Sequence, residues 1–175
     1  ARIAHELGVT KLRITCGEPT LYPEIDTLIE RFGEIGFDDV ALTTNGTLLT
    51  QERCALWKLS GLSRITISLD TLDSKKKEQI TRSFTPLSTV LRSIELARDA
   101  GLTPVKVNAV VMKGVNDDEL LSFAAFAQEY AIDMRFIEFM ALDSGRSWSM
   151  EKGVTASEMK QVIEREYELV REVDG

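Results

Sequence analysis

Short apolar runs alternate along the chain with longer segments of helical periodicity. Each run has the β-branched and apolar content typical of a strand, and the runs cover residues 11–15, 39–44, 64–70, 105–111 and 133–140. The segments between them predict helices, as in residues 24–36, where apolar side chains recur at the spacing of one helix face. Strands that alternate with helices predict right-handed βαβ units and a parallel sheet.

Several polar residues mark the predicted helix ends. Thr50 and Asn116 precede helical segments and are expected to act as N-caps. Thr155 and Glu158 have the spacing of a capping box, which predicts a last helix over residues 155–170. The lysines at positions 75–77 are expected on a solvated helix face.

Side-chain alternation within the strands separates an apolar face from a polar one. Residues two apart in a strand share a face, and the polar set comprises Arg13, Ala41, Thr43, Thr66, Ser68, Asp70, Lys106 and Asn108. A sealed (βα)8 barrel fills its interior with branched apolar side chains. The polar face therefore predicts an open or wide α/β barrel around a polar ligand. A doubly wound sheet, which needs two apolar faces, is the second alternative.

The composition excludes several classes of partner. The 175 residues are 43% hydrophobic and carry a net charge of −7, which suits one compact domain over residues 1–175. An acidic protein is repelled at long range by nucleic acid and by anionic membranes, so neither is expected as a partner. An anionic ligand would need a local basic site.

Cysteine and histidine are scarce. Two cysteines, Cys16 and Cys54, and one histidine cannot build a disulfide framework, a complete metal site or a nucleophilic triad. Their number fits a reducing cytoplasm, and no run approaches the roughly 18 apolar residues of a membrane span. Because the chain starts without Met and within a helical segment, an internal fragment is expected.

Three basic residues on different strands raise a further question. Arg13, Lys106 and Arg135 are expected to point in convergent directions on the polar face. Buried cations are costly unless they are paired. One interpretation pairs them with Asp70 or Glu138, and the other assigns them to a polyphosphate or carboxylate ligand.

Two turns carry candidate chemistry and also a plain structural interpretation. In residues 16–19, Cys-Gly-Glu-Pro, Gly17 could serve only a tight turn, with Glu18 near a helix N-terminus. The Asn-Gly pair of residues 43–46 is a common turn former by itself.

Taken in order, five segments resemble the radical S-adenosylmethionine enzymes. They are RITCGEP, LTTNG, ISLDTLD, PVKVNAVVMKGVNDDEL and RFIEFM, and the similarity runs from about residue 10 to about residue 170. It is greatest to the members that cyclise GTP on the route to the molybdenum cofactor. The resemblance implies a partial (βα)6 TIM-like barrel, of which this chain supplies strands two to six.

The resemblance implies roles for four residues in binding S-adenosylmethionine. Gly17 and Glu18 match the end of a glycine-glycine-glutamate motif that binds the methionyl amino group. Ser68 matches a contact to the methionine part of the cofactor, and Met140 matches a residue near its adenine.

The resemblance also implies a substrate site and a reaction. Thr43 matches a nucleotide contact, and Arg13, Lys106 and Arg135 match residues that engage the GTP triphosphate. The implied reaction cleaves S-adenosylmethionine at a [4Fe-4S] cluster to a 5′-deoxyadenosyl radical, which takes the C3′ hydrogen of GTP. The sugar radical then attacks guanine C8.

Two departures from the family pattern qualify these expectations. The three-cysteine CxxxCxxC loop and a C-terminal cysteine triplet are absent, so clusters are expected to be bound outside this chain, and the piece alone is expected to be inactive. Cys16 replaces the first glycine of the motif, and the continuation TLYP is more like that of members that modify peptides or other small molecules. A different radical enzyme and a non-redox nucleotide- or phosphate-binding barrel segment therefore stay open as alternatives. A homodimer of the parent enzyme is compatible with these expectations.

Overall fold

Five strands form one parallel sheet in the computed structural model, which describes residues 1–15, 17–141 and 149–171. The strands are β1 (Lys11–Ile14), β2 (Asp39–Thr44), β3 (Arg64–Ser68), β4 (Lys106–Val111) and β5 (Asp133–Glu138). The α-helices are α1 (Arg2–Glu6), α2 (Ile25–Ile35), α3 (Gln51–Leu59), α4 (Ser74–Thr81), α5 (Leu87–Asp99), α6 (Leu120–Tyr130) and α7 (Ala156–Ile163).

The strand order is β1-β2-β3-β4-β5, and every neighbouring pair is parallel. Because each right-handed crossover then advances in the same direction, the connecting helices lie on one face of the sheet. A doubly wound sheet needs a point where the strand order reverses, and the five strands have none. The predicted α/β class with a barrel-type sheet is confirmed, and the doubly wound alternative is wrong.

The main hydrophobic core fills the space between the sheet and the helices. Apolar strand residues pack there against fully buried helix side chains such as Trp57 and Ile94. The strand residues of this core are Val40, Leu42, Ile65, Ile67, Val107 and Ala109. These are the positions that strand alternation assigned to the apolar face. The opposite face of the sheet is therefore available for a site.

The helix-cap predictions are confirmed at two positions. The Thr50 hydroxyl accepts a hydrogen bond of 3.2 Å from the Arg53 amide at the start of α3. Thr155 and Glu158 form a complete capping box at the start of α7. That helix ends at Ile163 instead of continuing to residue 170, because the following segment offers no apolar stripe to bury, and Val170 is 84% exposed.

Two predictions about polar residues hold only in part. Asn116 takes the predicted N-cap position, before the 3-10 helix Asp117–Glu119 that leads into α6, but its side chain makes no capping hydrogen bond. The buried side chain instead joins the loop after β3 to the loop after β4. Lys77 is only 5% exposed, because α4 turns this lysine inward, where its ammonium donates to the carbonyl of Thr85 at 2.6 Å.

None of the helices in the described ranges is long and apolar enough to cross a membrane.

Candidate cofactor and substrate site

The carboxylate of Glu18 is fixed where β1 and β2 end. Its Oε1 atom accepts from the Thr20 amide at 3.0 Å, from the Thr20 hydroxyl at 2.6 Å and from the Thr44 hydroxyl at 2.6 Å. Its Oε2 atom accepts from the Asn45 amide at 2.6 Å. A carboxylate oxygen offers two lone pairs, so Oε1 is saturated while Oε2 keeps one position for another donor.

Electrostatics keep Glu18 ionised. Burial favours the neutral acid, but the hydrogen bonds from Thr20, Thr44 and Asn45 together outweigh it and lower the pKa of Glu18 below its ordinary value. A partly buried anion with one open acceptor position suits a cationic donor such as an ammonium group.

The backbone around Glu18 explains how the turn presents this group. Gly17 has a φ of +51°, and a Cβ atom built there would meet no other atom within 4 Å, so the approach to the turn is open. Glu18 also caps the 3-10 helix Pro19–Leu21 through its bond to the Thr20 amide. Gly17 and Glu18 thus have the predicted structural role in the turn, and the Glu18 carboxylate is at the same time held in a fixed position. Cys16 lies outside the described residues.

Thr44 is a site residue that the sequence patterns missed. Strand alternation placed it on the apolar face, and it is 2% exposed, yet its hydroxyl donates to Glu18 and accepts from the Gly46 amide at 3.1 Å. A buried threonine at a strand end, followed by Asn-Gly, is the only sequence signal for this role.

The strand register aligns two rows of polar side chains on the helix-free face. In one row Thr43 is level with Thr66, which is level with Lys106. In the other, nearer the C-terminal ends of β3 and β4, the members are Ser68, Asn108 and Arg135. Aligned residues in parallel strands share a face, so the register brings Ser68, predicted to bind the cofactor, and Arg135, predicted to bind the substrate, into one row.

The remaining predicted residues lie apart from these rows. Arg13 is exposed and level with Ala41, which precedes Thr43 on the same face of β2. Met140 follows the end of β5 and is 52% exposed. The register therefore places Thr43 in one row with Lys106 and Ser68 in one row with Arg135. Neither Arg13 nor Met140 belongs to either row.

The ion pairs of the predicted cations differ from the pairing that the sequence suggested. Lys106 lies 3.3 Å from a carboxylate oxygen of Asp133, an exposed partner on β5. Within the described part of the chain, neither Arg13 nor Arg135 has a salt bridge. The proposed pairing with Asp70 or Glu138 is therefore wrong.

Those two carboxylates bind backbone amides instead. Asp70 accepts from the Val110 amide at 2.8 Å, and Glu138 accepts from the Ala156 amide at 2.6 Å. Burial raises the pKa of the Asp70 carboxyl, and the Val110 hydrogen bond offsets only part of that effect.

Hydrogen bonds hold the loops after β3 and β4 together beside the site. Asn116 donates to the carbonyls of Asp70 at 2.6 Å and Val110 at 2.8 Å. Glu119, also buried, accepts from the Thr71 hydroxyl and the Leu72 amide, each at 2.7 Å. These contacts fix the backbone that follows Ser68.

A cavity of about 190 Å³ opens next to Ser68. It lies at the C-terminal ends of β2 and β3, and its lining residues are Asn45, Thr47, Ser68, Leu69, Asp70, Thr71, Lys77, Thr81, Ser83 and Val90. The site therefore combines an open polar face with an adjoining pocket.

In the ranges that the structure describes, no group of three or more His, Cys, Asp or Glu side chains could hold a metal ion. An iron–sulfur cluster needs thiolate ligands, usually four, so the described residues do not fit one.

The family of the chain follows from a comparison with protein-family models. Residues 1–127 match the model of the Radical SAM superfamily, which is more than half of the chain. The chain belongs to the radical SAM superfamily. The predicted family is confirmed.

Among curated proteins, this radical SAM chain is similar to enzymes named GTP 3′,8-cyclase. Relatives from Staphylococcus aureus strains JH9 and Newman are each 39% identical over 170 residues. The aligned region covers 97% of this chain and 49% of each relative. The chain thus spans about half the length of the curated relatives it matches.

Solved structures support the radical SAM fold. Streptococcus suis SuiB bound to S-adenosylmethionine has a TM-score of 0.70 and 24% identity, covering 94% of this chain and 37% of SuiB. A domain of pyruvate-formate lyase-activating enzyme from Bacteroides vulgatus has a TM-score of 0.66 and 19% identity, covering 87% of this chain and 89% of that domain. At these identities the likeness establishes the fold alone.

Proposed function

We propose that this chain is the core barrel of a GTP 3′,8-cyclase, an enzyme that converts GTP to 3′,8-cyclo-7,8-dihydro-GTP in molybdenum cofactor biosynthesis. The observation that carries the proposal is the helix-free polar face, where Ser68, Lys106 and Arg135 lie on one side of the sheet, while the Glu18 carboxylate is fixed at the C-terminal ends of β1 and β2. The identity to the curated cyclases supports the choice of substrate.

Residues of this chain fit the amino-acid end of S-adenosylmethionine. The open acceptor position on Glu18 Oε2 would receive the methionyl ammonium, while Gly17 leaves the approach clear. The Ser68 hydroxyl, which makes no hydrogen bond with the described residues, would contact the methionine part, and Met140 the adenine. S-adenosylmethionine, when bound beside a reduced [4Fe-4S] cluster, supplies a carbon radical able to remove a hydrogen atom from GTP.

The cluster ligands are proposed to lie outside this chain, because no described group of side chains could hold a metal. The chain is accordingly proposed as one domain of a longer enzyme, over residues 1–175. Its own residues bind and orient the two ligands and exclude water from the space between them.

The cations provide the substrate contacts. Lys106, 16% exposed at its side chain, and Arg135 would hold the triphosphate together with Arg13. Thr43, in the same row as Lys106 with Thr66 between them, would contact the nucleotide. Arginine suits phosphate because its planar fork can donate two parallel hydrogen bonds, and lysine adds a point charge.

Two alternatives raised by the sequence are less well supported. A radical enzyme acting on a peptide or another small molecule would share the superfamily and the fold, but the 39% identical relatives are named as cyclases of GTP. A non-redox phosphate-binding barrel agrees with the cations but not with membership of the radical SAM superfamily.

The composition guides the cellular setting that we propose. A net charge of −7 argues against nucleic-acid and membrane partners, and the scarcity of cysteine favours the cytoplasm. A homodimer is the assembly that we propose for the parent enzyme.

Binding measurements on the full-length protein, reconstituted with iron and sulfide, test the substrate assignment. We expect Lys106→Ala and Arg135→Ala each to weaken GTP binding by about 1.5–3 kcal/mol, the range for a charge-assisted contact. Cleavage of S-adenosylmethionine should persist in both variants. Arg92→Ala, which alters an exposed arginine on α5, is the matched control. Unchanged GTP affinity in both site variants would overturn the triphosphate assignment.

A further inference from the structure

Lys77 is a buried cation on α4 with a single polar contact. It is 5% exposed, and its ammonium donates to the Thr85 carbonyl at 2.6 Å. An ammonium has three N–H donors, so two of them have no partner among the described residues. Within the described ranges no carboxylate forms an ion pair with it. A buried charge without a counter-charge destabilises the fold, so the contacts of the fold do not explain this lysine.

The two preceding lysines of α4 have ordinary surroundings. Lys75 is exposed, and the Lys76 ammonium pairs with Asp118 at 2.6 Å and with Glu119 at 3.0 Å. Lys77 differs from both, because it is shielded from solvent and has no acid beside it in the part of the chain that the structure describes. The anion that balances its charge must therefore come from outside the described residues.

The cavity next to Ser68 gives such an anion a place to bind. Lys77 lines this cavity of about 190 Å³ together with Asn45 and Ser68. The volume corresponds to about six water molecules at about 30 Å³ each, which is enough for the charged end of a small molecule. The Asn45 amide donates to Oε2 of Glu18 at 2.6 Å, the oxygen that keeps an open acceptor position. One wall of the cavity therefore adjoins the proposed ammonium acceptor, and another carries a buried ammonium.

The charges of the lining select the kind of anion. Asp70 lines the same cavity, and one of its oxygens accepts from the Val110 amide. A phosphate with two negative charges would be repelled by Asp70, whereas Lys77 balances the single charge of a carboxylate. The Ser68 hydroxyl, also in the lining, can donate a further hydrogen bond to a carboxylate oxygen.

We propose that Lys77 makes this cavity a binding site for a carboxylate group. The proposal rests on the cofactor part of the proposed function, since the carboxylate of S-adenosylmethionine is attached to the same carbon as the ammonium assigned to Glu18. A free carboxylate such as acetate offers the same group without the rest of the cofactor. Binding measurements with each compound distinguish the two sources.

The first measurement compares S-adenosylmethionine with its decarboxylated analogue, which lacks only this carboxylate. Full-length enzyme is reconstituted with iron and sulfide and left unreduced, so that the cofactor is not cleaved. It should bind the analogue about ten- to a hundredfold more weakly, the range for a charge-assisted hydrogen bond. Lys77→Met keeps the length of the side chain and removes its charge. This variant should bind S-adenosylmethionine more weakly by a similar factor and discriminate little between the two compounds, which identifies the cofactor as the source.

The second measurement uses acetate in the absence of S-adenosylmethionine. If a free carboxylate is the source, sodium acetate in place of sodium chloride at equal ionic strength should raise the urea midpoint of wild-type enzyme and not that of Lys77→Met. In that case wild-type enzyme should bind S-adenosylmethionine and its decarboxylated analogue equally. If Lys77→Met fails to fold, Lys77→Gln, which keeps a donor for the Thr85 carbonyl, takes its place.

Lys75→Met is the matched control, since it removes the same charge from an exposed position of the same helix. It should alter neither the affinities nor the response to acetate. Two results would overturn the proposal: a folded Lys77 variant that matches wild type in both measurements, or one that loses affinity equally for S-adenosylmethionine and for the decarboxylated analogue. Failure of the proposed function looks different, since wild-type enzyme would then not bind GTP, and none of these measurements uses GTP.

Discussion

The hydroxyl of Thr44 donates a hydrogen bond of 2.6 Å to the carboxylate of Glu18, which links the turn after β1 to the end of β2. The same hydroxyl accepts from the Gly46 amide at 3.1 Å. Thr44 thus positions the proposed ammonium-binding carboxylate and the turn after β2 at once. Thr44 is therefore a positioning residue: it holds Glu18, and Glu18 would contact the ligand.

Replacing Thr44 with valine should weaken S-adenosylmethionine binding. The change removes one of the hydrogen bonds that lower the pKa of Glu18, so this pKa should rise, and binding should be lost at a higher pH as the solution is acidified. We expect a stability loss of about 1–3 kcal/mol as well, because the buried Gly46 amide loses its acceptor. Affinity for S-adenosylmethionine measured from about pH 4 to about pH 8 reports the weaker binding and the shifted pH dependence, and urea unfolding reports the stability loss.

Thr43→Val is the matched comparison for that experiment. Thr43 precedes Thr44 but faces the other side of the sheet, level with Thr66. We expect it to weaken GTP binding and to leave the pH dependence of S-adenosylmethionine binding unchanged. The same shift in both variants would show that Thr44 has no specific link to Glu18.

Replacing Asp133 with asparagine should strengthen GTP binding. Asp133 lies 3.3 Å from the Lys106 ammonium and is 52% exposed, so it competes with a phosphate for that cation without gaining much stability itself. We expect GTP to bind about two- to fivefold more tightly at low salt, with the gain reduced at higher ionic strength. Titrations of GTP at two salt concentrations measure this, and weaker GTP binding in the variant would contradict it.

Replacing Asp70 with asparagine should stabilise the protein near neutral pH. Burial raises the pKa of Asp70 in the folded protein above its ordinary value of 3.8. The free energy of unfolding therefore falls as the pH rises from the ordinary pKa to the raised one, because the buried carboxyl becomes charged. Asparagine keeps an acceptor for the Val110 amide and carries no charge. The urea midpoint of the variant should exceed that of wild type near pH 7, where Asp70 is charged, and approach it near pH 3, where Asp70 is protonated. A lower midpoint at neutral pH would contradict the burial argument.

Alanine at Gly46 should destabilise the protein more than alanine at Gly36. Both glycines have a positive φ, +77° and +89°, so both substitutions carry backbone strain. A Cβ at Gly46 would also clash with the Ser93 hydroxyl oxygen, whereas a Cβ at Gly36 would meet nothing within 4 Å. We expect losses of about 2–4 kcal/mol at Gly46 and about 1 kcal/mol at Gly36.

A second substitution isolates the steric part of this difference. Ser93→Gly removes the two nearest atoms that the new Cβ would meet, so its effect on the free energy of unfolding should be more favourable in the Gly46→Ala background than in wild type. Equal urea midpoints for the two alanine variants would show that the contact between α5 and the turn after β2 is not tight.

Much of the fold could be predicted from the sequence because strand alternation and helical periodicity reflect burial directly. The strand positions and the polar face follow from such local patterns. The roles of Thr44, Asn116 and Lys77 do not, since each depends on which distant backbone atom comes within hydrogen-bonding distance in the folded chain. A local pattern carries no information about that distance.

The candidate site could likewise be predicted from the sequence only in part. Glu18 and the cations could be found from motifs, but the partner of Lys106 could not, because Asp133 is brought beside it by the register of β4 and β5. Among the described residues the Asn108 Oδ1 atom has no hydrogen-bond partner, and this too is visible only in three dimensions.

The transfer of deuterium from GTP tests the central proposal most directly. Full-length enzyme, reconstituted with iron and sulfide and then reduced, would be incubated with S-adenosylmethionine and GTP deuterated at C3′, and the products analysed by mass spectrometry. The proposed function predicts deuterium in 5′-deoxyadenosine together with a cyclised GTP product. Cleavage of S-adenosylmethionine without deuterium transfer and without consumption of GTP would contradict it.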